Sequence, residues 1–307
     1  MKRFRMSSTF TPASFKYLRA KTIDEALEFL EKYEDSKIIA GGQSLLIMMR
    51  FRILTPKHLI DINGIPELKY IKLNDKFINI GALTTHDEIA NSPIIKSYCP
   101  LLSEAARKVG DQQVRNLGTI GGSVSHADPG ANYLPVLVSL GAQVVIKGKT
   151  GERIVNAEDF FLGPYQTLLG EKEIVKEVRV PIINPFPPFS FIKFTRREQE
   201  FSLCTISTIM AINDSNVVND IRIGVGAVHL KPVRAKEVEE KIVGKAFSLE
   251  VINEAVNSFN SEGRKVLSDF RAGEEYRTHL AKVLIRRSIL NAYEIHKGRG
   301  KSEEGQH

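Results

Sequence analysis

Two glycine pairs constrain this chain more than any other feature. Gly41-Gly42 and Gly121-Gly122 have similar surroundings, since apolar residues precede each pair and small or hydroxyl residues follow it (KIIAGGQSLL and LGTIGGSVS). Without a Cβ, such pairs can turn backbone N–H groups inward in conformations that other residues avoid, making a nest for oxygen atoms. Alone, a glycine pair is usually only a turn. Together the pairs read as cradles facing one ligand, and the fold must bring them to one place.

A pyrophosphate brings about two negative charges that need closely approaching donors. Each hydrogen bond to a charged oxygen contributes about 1.5–3 kcal/mol, so several amides can hold a dinucleotide without an arginine. Ser44, Thr119 and Ser123 add hydroxyls at the edges of the turns. Neither pair is the G-x-G-x-x-G dinucleotide fingerprint, and no Walker lysine follows either one. Gly224-Val225-Gly226 begins that fingerprint but lies within the apolar stretch Ile221 to Val228, where strand packing is the expected role.

Thr22-Ile23-Asp24-Glu25 has the capping-box pattern, and Ile23, Ala26, Leu27 and Leu30 follow at helical spacing. Lys37 to Ala40 reads as a strand entering the first glycine turn, and His58 to Ile62 as another, closed by Asn63-Gly64. Phe77 to Gly81, Ala142 to Ile146 and Glu173 to Val180 read as strands, and Thr85-His86-Asp87-Glu88 as a second capping box. The NPFPP segment, Asn184 to Pro188, is a stiff connector. Beyond it, Phe189 to Thr195, Leu203 to Ile212 and Ile221 to His229 suggest a three-stranded antiparallel sheet, with helices to about Ile295. The expected division is 1–64 and 65–183 as two lobes, 189–295 as a sheet-plus-helix domain and 296–307 as a flexible tail without an apolar anchor.

Composition narrows the chemistry. The only cysteines, Cys99 and Cys204, lie far apart in apolar settings, whereas an iron–sulfur cluster takes about four. His58, His86 and His229 show no metal-ligand spacing, so any redox centre held here is organic. The formal charge of +7 is spread along the chain with no recognition motif, which speaks against nucleic acid and fits faces for less basic partners. The opening MKRFRMSSTF lacks the apolar run of an export signal, and Leu45 to Met49 is far shorter than the roughly 20 residues of a membrane span. A cytoplasmic protein without membrane association is expected. Ser123, Ser125, His126 and Asp128 cluster in sequence, but no nucleophile elbow accompanies them and a hydrolytic triad is not indicated.

The strings KIIAGGQSLL, LIDINGIPEL, IGALTTHDEI, QVRNLGTIGGSVSHADPGAN, DFFLGPYQTLL, EIVKEVRVP and IGVGAVHLKPVRA occur in that order from about Phe15 to Lys245. In these motifs the chain resembles the FAD-binding medium subunit of molybdenum hydroxylases, the carbon monoxide dehydrogenase, xanthine dehydrogenase and aldehyde oxidoreductase family. Within that family it looks most like the medium chains of archaeal glyceraldehyde (aldehyde) oxidoreductases. The resemblance implies an α+β fold, a two-lobed vanillyl-alcohol-oxidase (PCMH)-type FAD-binding domain followed by the sheet-plus-helix domain. It implies non-covalent FAD here, and partners in a heterotrimer or a dimer of heterotrimers: a large molybdopterin-binding subunit and a small [2Fe-2S] subunit. Electrons would pass from the clusters through FAD to an external acceptor.

Carried over by position, Ile39, Ala40, Gly41, Gly42, Gln43, Ser44 and Leu45 would contact the cofactor, as would Gly118, Thr119, Gly121, Gly122 and Ser123. The resemblance also implies a flavin-chain contact at Asn132, where many relatives carry an aspartate, and contacts from Ile174, Val175 and Lys193; Asp128, before Pro129, either shapes the turn or contacts the flavin. Lys193 would lie near the isoalloxazine, where a cation favours the reduced ring. Two departures are evident: Ser123 replaces a commoner asparagine, and Glu200-Phe201-Ser202 replaces an Asp-rich continuation after Arg196-Arg197. The expected complex oxidises an aldehyde such as glyceraldehyde. The alternatives are the flavin subunit of a carbon monoxide or N-heterocycle dehydrogenase and, from another class, a free-standing FAD-dependent reductase.

Overall fold

Thr22 starts the first helix because its hydroxyl accepts the Glu25 amide at 3.1 Å, and Ile23, Ala26, Leu27 and Leu30 then share one buried stripe. In the computed structural model, which describes residues 11–304 and side chains to 298, β1 (Lys16–Arg19) leads into this helix, α1 (Ile23–Lys32), and then β2 (Ser36–Ile39). After α2 (Leu45–Arg50), β3 (His58–Asp61) inserts between them to give the parallel order β1-β3-β2. All carboxyl ends, at Arg19, Asp61 and Ile39, therefore share one edge, and the first glycine pair follows immediately from it. Ligands of open parallel sheets bind at that edge.

A five-stranded sheet, β4-β5-β10-β6-β7, follows. It is built from β4 (Ile71–Leu73), β5 (Phe77–Gly81), β6 (Gln143–Gly148) and β7 (Gly151–Asn156); after the hairpin of β8 (Phe161–Gly163) and β9 (Gln166–Thr167), β10 (Ile174–Pro181) pairs antiparallel with β5 and β6. Between β5 and β6 run α3 (His86–Asn91), α4 (Pro93–Tyr98), α5 (Pro100–Arg107), α6 (Gln112–Leu117), α7 (Ile120–His126) and α8 (Tyr133–Leu140), with α9 (Ala157–Phe160) after β7. The capping box at Thr85 is complete: its hydroxyl accepts the Glu88 amide at 3.2 Å, and its own amide donates to the Glu88 carboxylate at 2.9 Å. One apolar core runs from α1 through this sheet to Phe191 and Ile209, so the first two sheets share an interior.

The third sheet is β11 (Phe189–Phe194), β12 (Cys204–Ile212), β13 (Val218–Gly226) and β14 (Val233–Arg234). The two-residue β14 adds a fourth strand to the three expected, since Val233 and Arg234 lie opposite Val225 and Gly224. Side chains alternate faces along β12. Ser207 meets Ser139 of α8 at 2.8 Å, while Thr208 on the opposite face accepts from Ser288 at 2.8 Å. Ser288 belongs to α12 (Glu274–Glu304), which with α10 (Lys236–Ile242) and α11 (Leu249–Asn257) encloses a second core. The GVG segment packs as expected: a Cβ at Gly224 would stand 2.0 Å from the Pro135 carbonyl oxygen of α8.

The segment expected as a flexible tail from His296 is helical as far as Glu304, as the end of α12. Near the start of that segment, Lys297 pairs with Glu294 at 2.7 Å, a contact that supports the helix only locally. The opening MKRFRMSSTF and residues 305–307 lie outside the described residues. No helix among the described residues is long and apolar enough to cross a membrane.

Candidate functional site

The two glycine turns meet. A Cβ at Gly41 would lie 2.0 Å from the Leu117 carbonyl oxygen and 2.8 Å from the Cα of Gly118, so the backbones touch and only glycine fits at position 41. Gly42 has φ +72°, in the left-handed region that glycine enters without steric cost.

The first turn pairs most of its carbonyls and leaves its amides unpaired. Four of its carbonyls are tied back into the protein: Ala40 accepts from Asn63 Nδ2 at 2.7 Å, Gly41 from Gln43 Nε2 at 3.2 Å, Gly42 from the Leu46 amide at 3.1 Å and Ser44 from the Met48 amide at 3.1 Å. Among the described residues, the amides of Gly41, Gly42, Gln43 and Ser44 donate to no protein acceptor. These half-buried donors beside the carboxyl edge of a parallel sheet suit an anionic oxygen cluster. Ile39 and Leu45 flank the turn and pack with Met49 and Leu59 in a small apolar cluster.

The second turn is built differently, which corrects the reading of Gly121 and Gly122 as inward-pointing amides. Thr119 caps α7, and the glycines form its first turn. Ile120 donates to the Thr84 carbonyl at 3.0 Å, Gly121 to Ala82 at 2.9 Å, Gly122 to Thr119 Oγ1 at 3.1 Å and Ser123 to the Thr119 carbonyl at 3.0 Å. Close packing is the local reason for glycine, since a Cβ at Gly121 would fall 2.5 Å from that of Ala82. Gly122 is exposed, so the second turn offers a bare backbone surface and the hydroxyl of Ser123 in place of a nest.

His86 supports this turn from below. Its amide donates to the Gly118 carbonyl at 2.9 Å, its ring lies under Gly118, and Nδ1 is 3.0 Å from the buried Tyr133 hydroxyl. Burial, aided by Arg115, drives the His86 pKa down to about 4, so the ring is neutral. At the far end of α7, Asp128 accepts the Gly130 amide at 2.8 Å and the Tyr165 hydroxyl at 3.0 Å. Burial, then Asp128, pushes that phenol up to about 12.

Asn132 is buried and donates to the Ala105 carbonyl at 3.0 Å, while its amide oxygen takes no donor among the described residues. Ile174 and Val175 lie in the common core at the start of β10, whose Lys176 carbonyl accepts the Ala82 amide at 2.9 Å. Lys193 Nζ donates to the Lys108 carbonyl at 3.0 Å, at the carboxyl end of α5. Sequence reasoning did not single out Asp61, Asn63, His86 and Tyr165 for the site; Asp61 alone left a signal, as a charge between the apolar Leu59-Ile60 and Ile62. No cluster of at least three His, Cys, Asp or Glu that could hold a metal occurs among the described residues.

Residues 13–183 match the family described as FAD binding domain in molybdopterin dehydrogenase, and residues 189–292 match the CO dehydrogenase flavoprotein C-terminal domain. The glyceraldehyde dehydrogenase medium chain of Sulfolobus acidocaldarius is 37% identical over 273 residues, covering 89% of this chain and 96% of that one. The carbon monoxide dehydrogenase medium chain of Hydrogenophaga pseudoflava is 35% identical over 283 residues, covering 92% and 98%. The solved carbon monoxide dehydrogenase of that organism superposes with a TM-score of 0.88 at 36% identity, covering 92% of this chain and 99% of its own.

Proposed function

The chain belongs to the FAD-binding medium-chain family of molybdenum hydroxylases, and we propose that it holds FAD by the pyrophosphate between its two glycine turns and carries electrons out of a larger complex. The observation that carries this reading is the first turn, where four consecutive amides have no protein acceptor among the described residues while the carbonyls of Ala40, Gly41, Gly42 and Ser44 are tied back. Ala40 to Leu45 would hold the diphosphate, and Gly118, Thr119, Gly121, Gly122 and Ser123 would close over it. Asp128, Asn132, Ile174, Val175 and Lys193 would line the path of the flavin half. The fit is chemical: the first turn supplies unpaired backbone donors for an anionic diphosphate, and the exposed backbone at Gly122 with the Ser123 hydroxyl would leave room for the rest of the dinucleotide.

FAD when bound supplies a centre that accepts one or two electrons. The protein's part is to position it and to set its electrostatics, with Lys193 offering a cation where the reduced ring gains negative charge. We assign the chain an FAD-binding lobe at 1–64, a second at 65–183 and a C-terminal domain at 189–295. A large molybdopterin-binding chain and a small [2Fe-2S] chain complete a cytoplasmic heterotrimer or dimer of heterotrimers.

The complex oxidises an aldehyde, glyceraldehyde being the reading favoured by the 37% identity to a glyceraldehyde dehydrogenase medium chain. A carbon monoxide oxidising complex is the second reading, favoured by the 35% identity to that medium chain. Anaerobic addition of glyceraldehyde to the purified complex is expected to bleach the flavin band. Yellow protein that bleaches with carbon monoxide and not with the aldehyde would favour the second reading, and folded protein that stays colourless with added FAD would end both.

A further inference from the structure

A turn that binds an anion through amides must keep its carbonyls away from that anion, because a carbonyl oxygen facing a phosphate repels it. In the first turn, Gly42 and Ser44 lose their carbonyls to the start of α2, and Gly41 loses its to Gln43 within the turn. Ala40 stands at the point where the chain leaves β2, and its carbonyl is held by a side chain from another strand end. Asn63 Nδ2 reaches it at 2.7 Å and simultaneously donates to Asp61 Oδ1 at 2.8 Å.

Asp61 in turn is immobilised. Its Oδ1 also accepts the Asn63 amide at 2.9 Å, and its Oδ2 accepts the hydroxyl of Tyr17 from β1. Asp61 is only 7% exposed. A buried carboxylate needs such donors to remain ionised, and here they come from the adjacent strand β1 and from the turn that follows β3. The chain of bonds runs from Tyr17 within β1, through Asp61 at the end of β3 and Asn63, to Ala40 after β2, linking the three strands of the first sheet.

We propose that Asn63, braced by Asp61 and Tyr17, is a positioning residue for the cofactor: it holds the Ala40 carbonyl back so that the following amides face the pyrophosphate. This rests on the reading of the first turn as a pyrophosphate site. Asn63 does not touch the ligand; it sets the direction of the groups that do. Of its polar atoms, Nδ2 carries this role, so Asn63→Asp, which keeps the size and removes the donor, should be as harmful as Asn63→Ala.

The test uses the full-length protein, purified with any chains that co-elute with it. FAD affinity, the phosphorus-31 resonances of bound FAD, the flavin absorption envelope and the melting temperature without FAD are measured for wild type, Asn63→Ala, Asn63→Asp and Tyr17→Phe. Asn257→Ala, at an exposed position on α11, is the control. Both Asn63 variants are expected to weaken FAD roughly tenfold to a hundredfold and to move the phosphorus resonances while the flavin envelope stays as in wild type. Tyr17→Phe should give the same pattern at a few-fold loss, and it decides the matter if the Asn63 variants do not fold. Wild-type affinity and unmoved phosphorus signals would overturn the proposal, as would a fall in melting temperature with the resonances of bound FAD unchanged. Wild-type protein that takes up no FAD would instead refute the underlying reading of the turn.

Discussion

Lys193 and Lys108 hold each other's strand and helix: Lys193 Nζ donates to the Lys108 carbonyl at 3.0 Å, and Lys108 Nζ donates to the Phe191 carbonyl, two residues from Lys193, at 3.2 Å. The pairing joins β11 to the end of α5 and places two ammonium groups close together.

Burial first, and Lys108 second, bring the Lys193 pKa down to about 8. In the unfolded chain it returns to the ordinary lysine value, so between the two the unfolded state holds the extra proton and stability rises with pH. The penalty is fully present below about 8 and has gone once pH passes the ordinary value. Between pH 7.5 and 10, wild type is expected to gain roughly 2 °C in Tm relative to Lys193→Met, measured by calorimetry without FAD. A constant difference across that range would show that Lys193 is not the titrating group. In the FAD-loaded complex the same variant should lower the flavin midpoint potential by roughly 30 mV, through loss of a nearby cation.

The glycine turns can be separated into structural and ligand roles. Gly41→Ala forces a methyl against the Leu117 carbonyl, and is expected to destabilise the protein by about 1–3 kcal/mol and to release FAD. Gly122→Ala places a methyl at an exposed helical position, where alanine is favoured by about 0.5–1 kcal/mol. On the proposed site it should weaken FAD, while its methyl, 3.0 Å from the capping hydroxyl of Thr119, offsets the helical gain and leaves the melting temperature within about 2 °C of wild type. Equal FAD affinity in Gly122→Ala would remove the second turn from the binding surface.

Gly224→Ala would push β13 from α8, since its Cβ would stand 2.0 Å from the Pro135 carbonyl oxygen. The expected loss is about 1–3 kcal/mol, read as a lower urea midpoint with the slope unchanged. Gly244→Ala offers a contrast, because no atom lies within 4 Å of the new carbon and the only obstacle is φ +79°.

Arg277 is fully buried and donates to the carbonyls of Leu203 and Ala227 at 2.8 and 2.6 Å and to Asp269 at 2.9 Å. Arg277→Ala is expected to cost about 2–4 kcal/mol, because it leaves the Leu203 and Ala227 carbonyls without their donor and takes one of several donors from Asp269. Burial acts to raise the Asp269 pKa, yet the hydrogen bonds from Arg271 and Arg277 hold it well below the usual carboxylate range. Its contribution is therefore complete above the ordinary carboxylate pKa and fades as pH falls below it. Acid unfolding of Asp269→Asn should accordingly show a weaker pH dependence below about pH 4.

Local signals in the sequence located the elements well where one residue decides the outcome. Thr22 and Thr85 cap helices as their patterns require, and Gly224 packs a strand as its apolar setting implies. The second glycine pair misled because glycine disfavours helix interiors, whereas Ala82 forbids any side chain at position 121 and so keeps glycine inside α7. Strand β14 is too short to carry a period, and Asn63 reads as a turn residue until β2 and β3 are laid side by side. The meeting of the turns was legible as a requirement of one shared ligand. Which turn keeps free donors was not, because that depends on acceptors at Thr84 and Ala82, distant in sequence.

Helix α8 has no solvent face: every residue from Tyr133 to Leu140 is buried, with Pro135 against β13 and Ser139 against β12. The NPFPP connector consequently looks like a convenient place to sever the chain but is a poor one. A fragment ending there would present an uncovered greasy rod to its neighbours, and its fate would be precipitation. The two halves can be recovered only by making them together, so that each grows around the same rod.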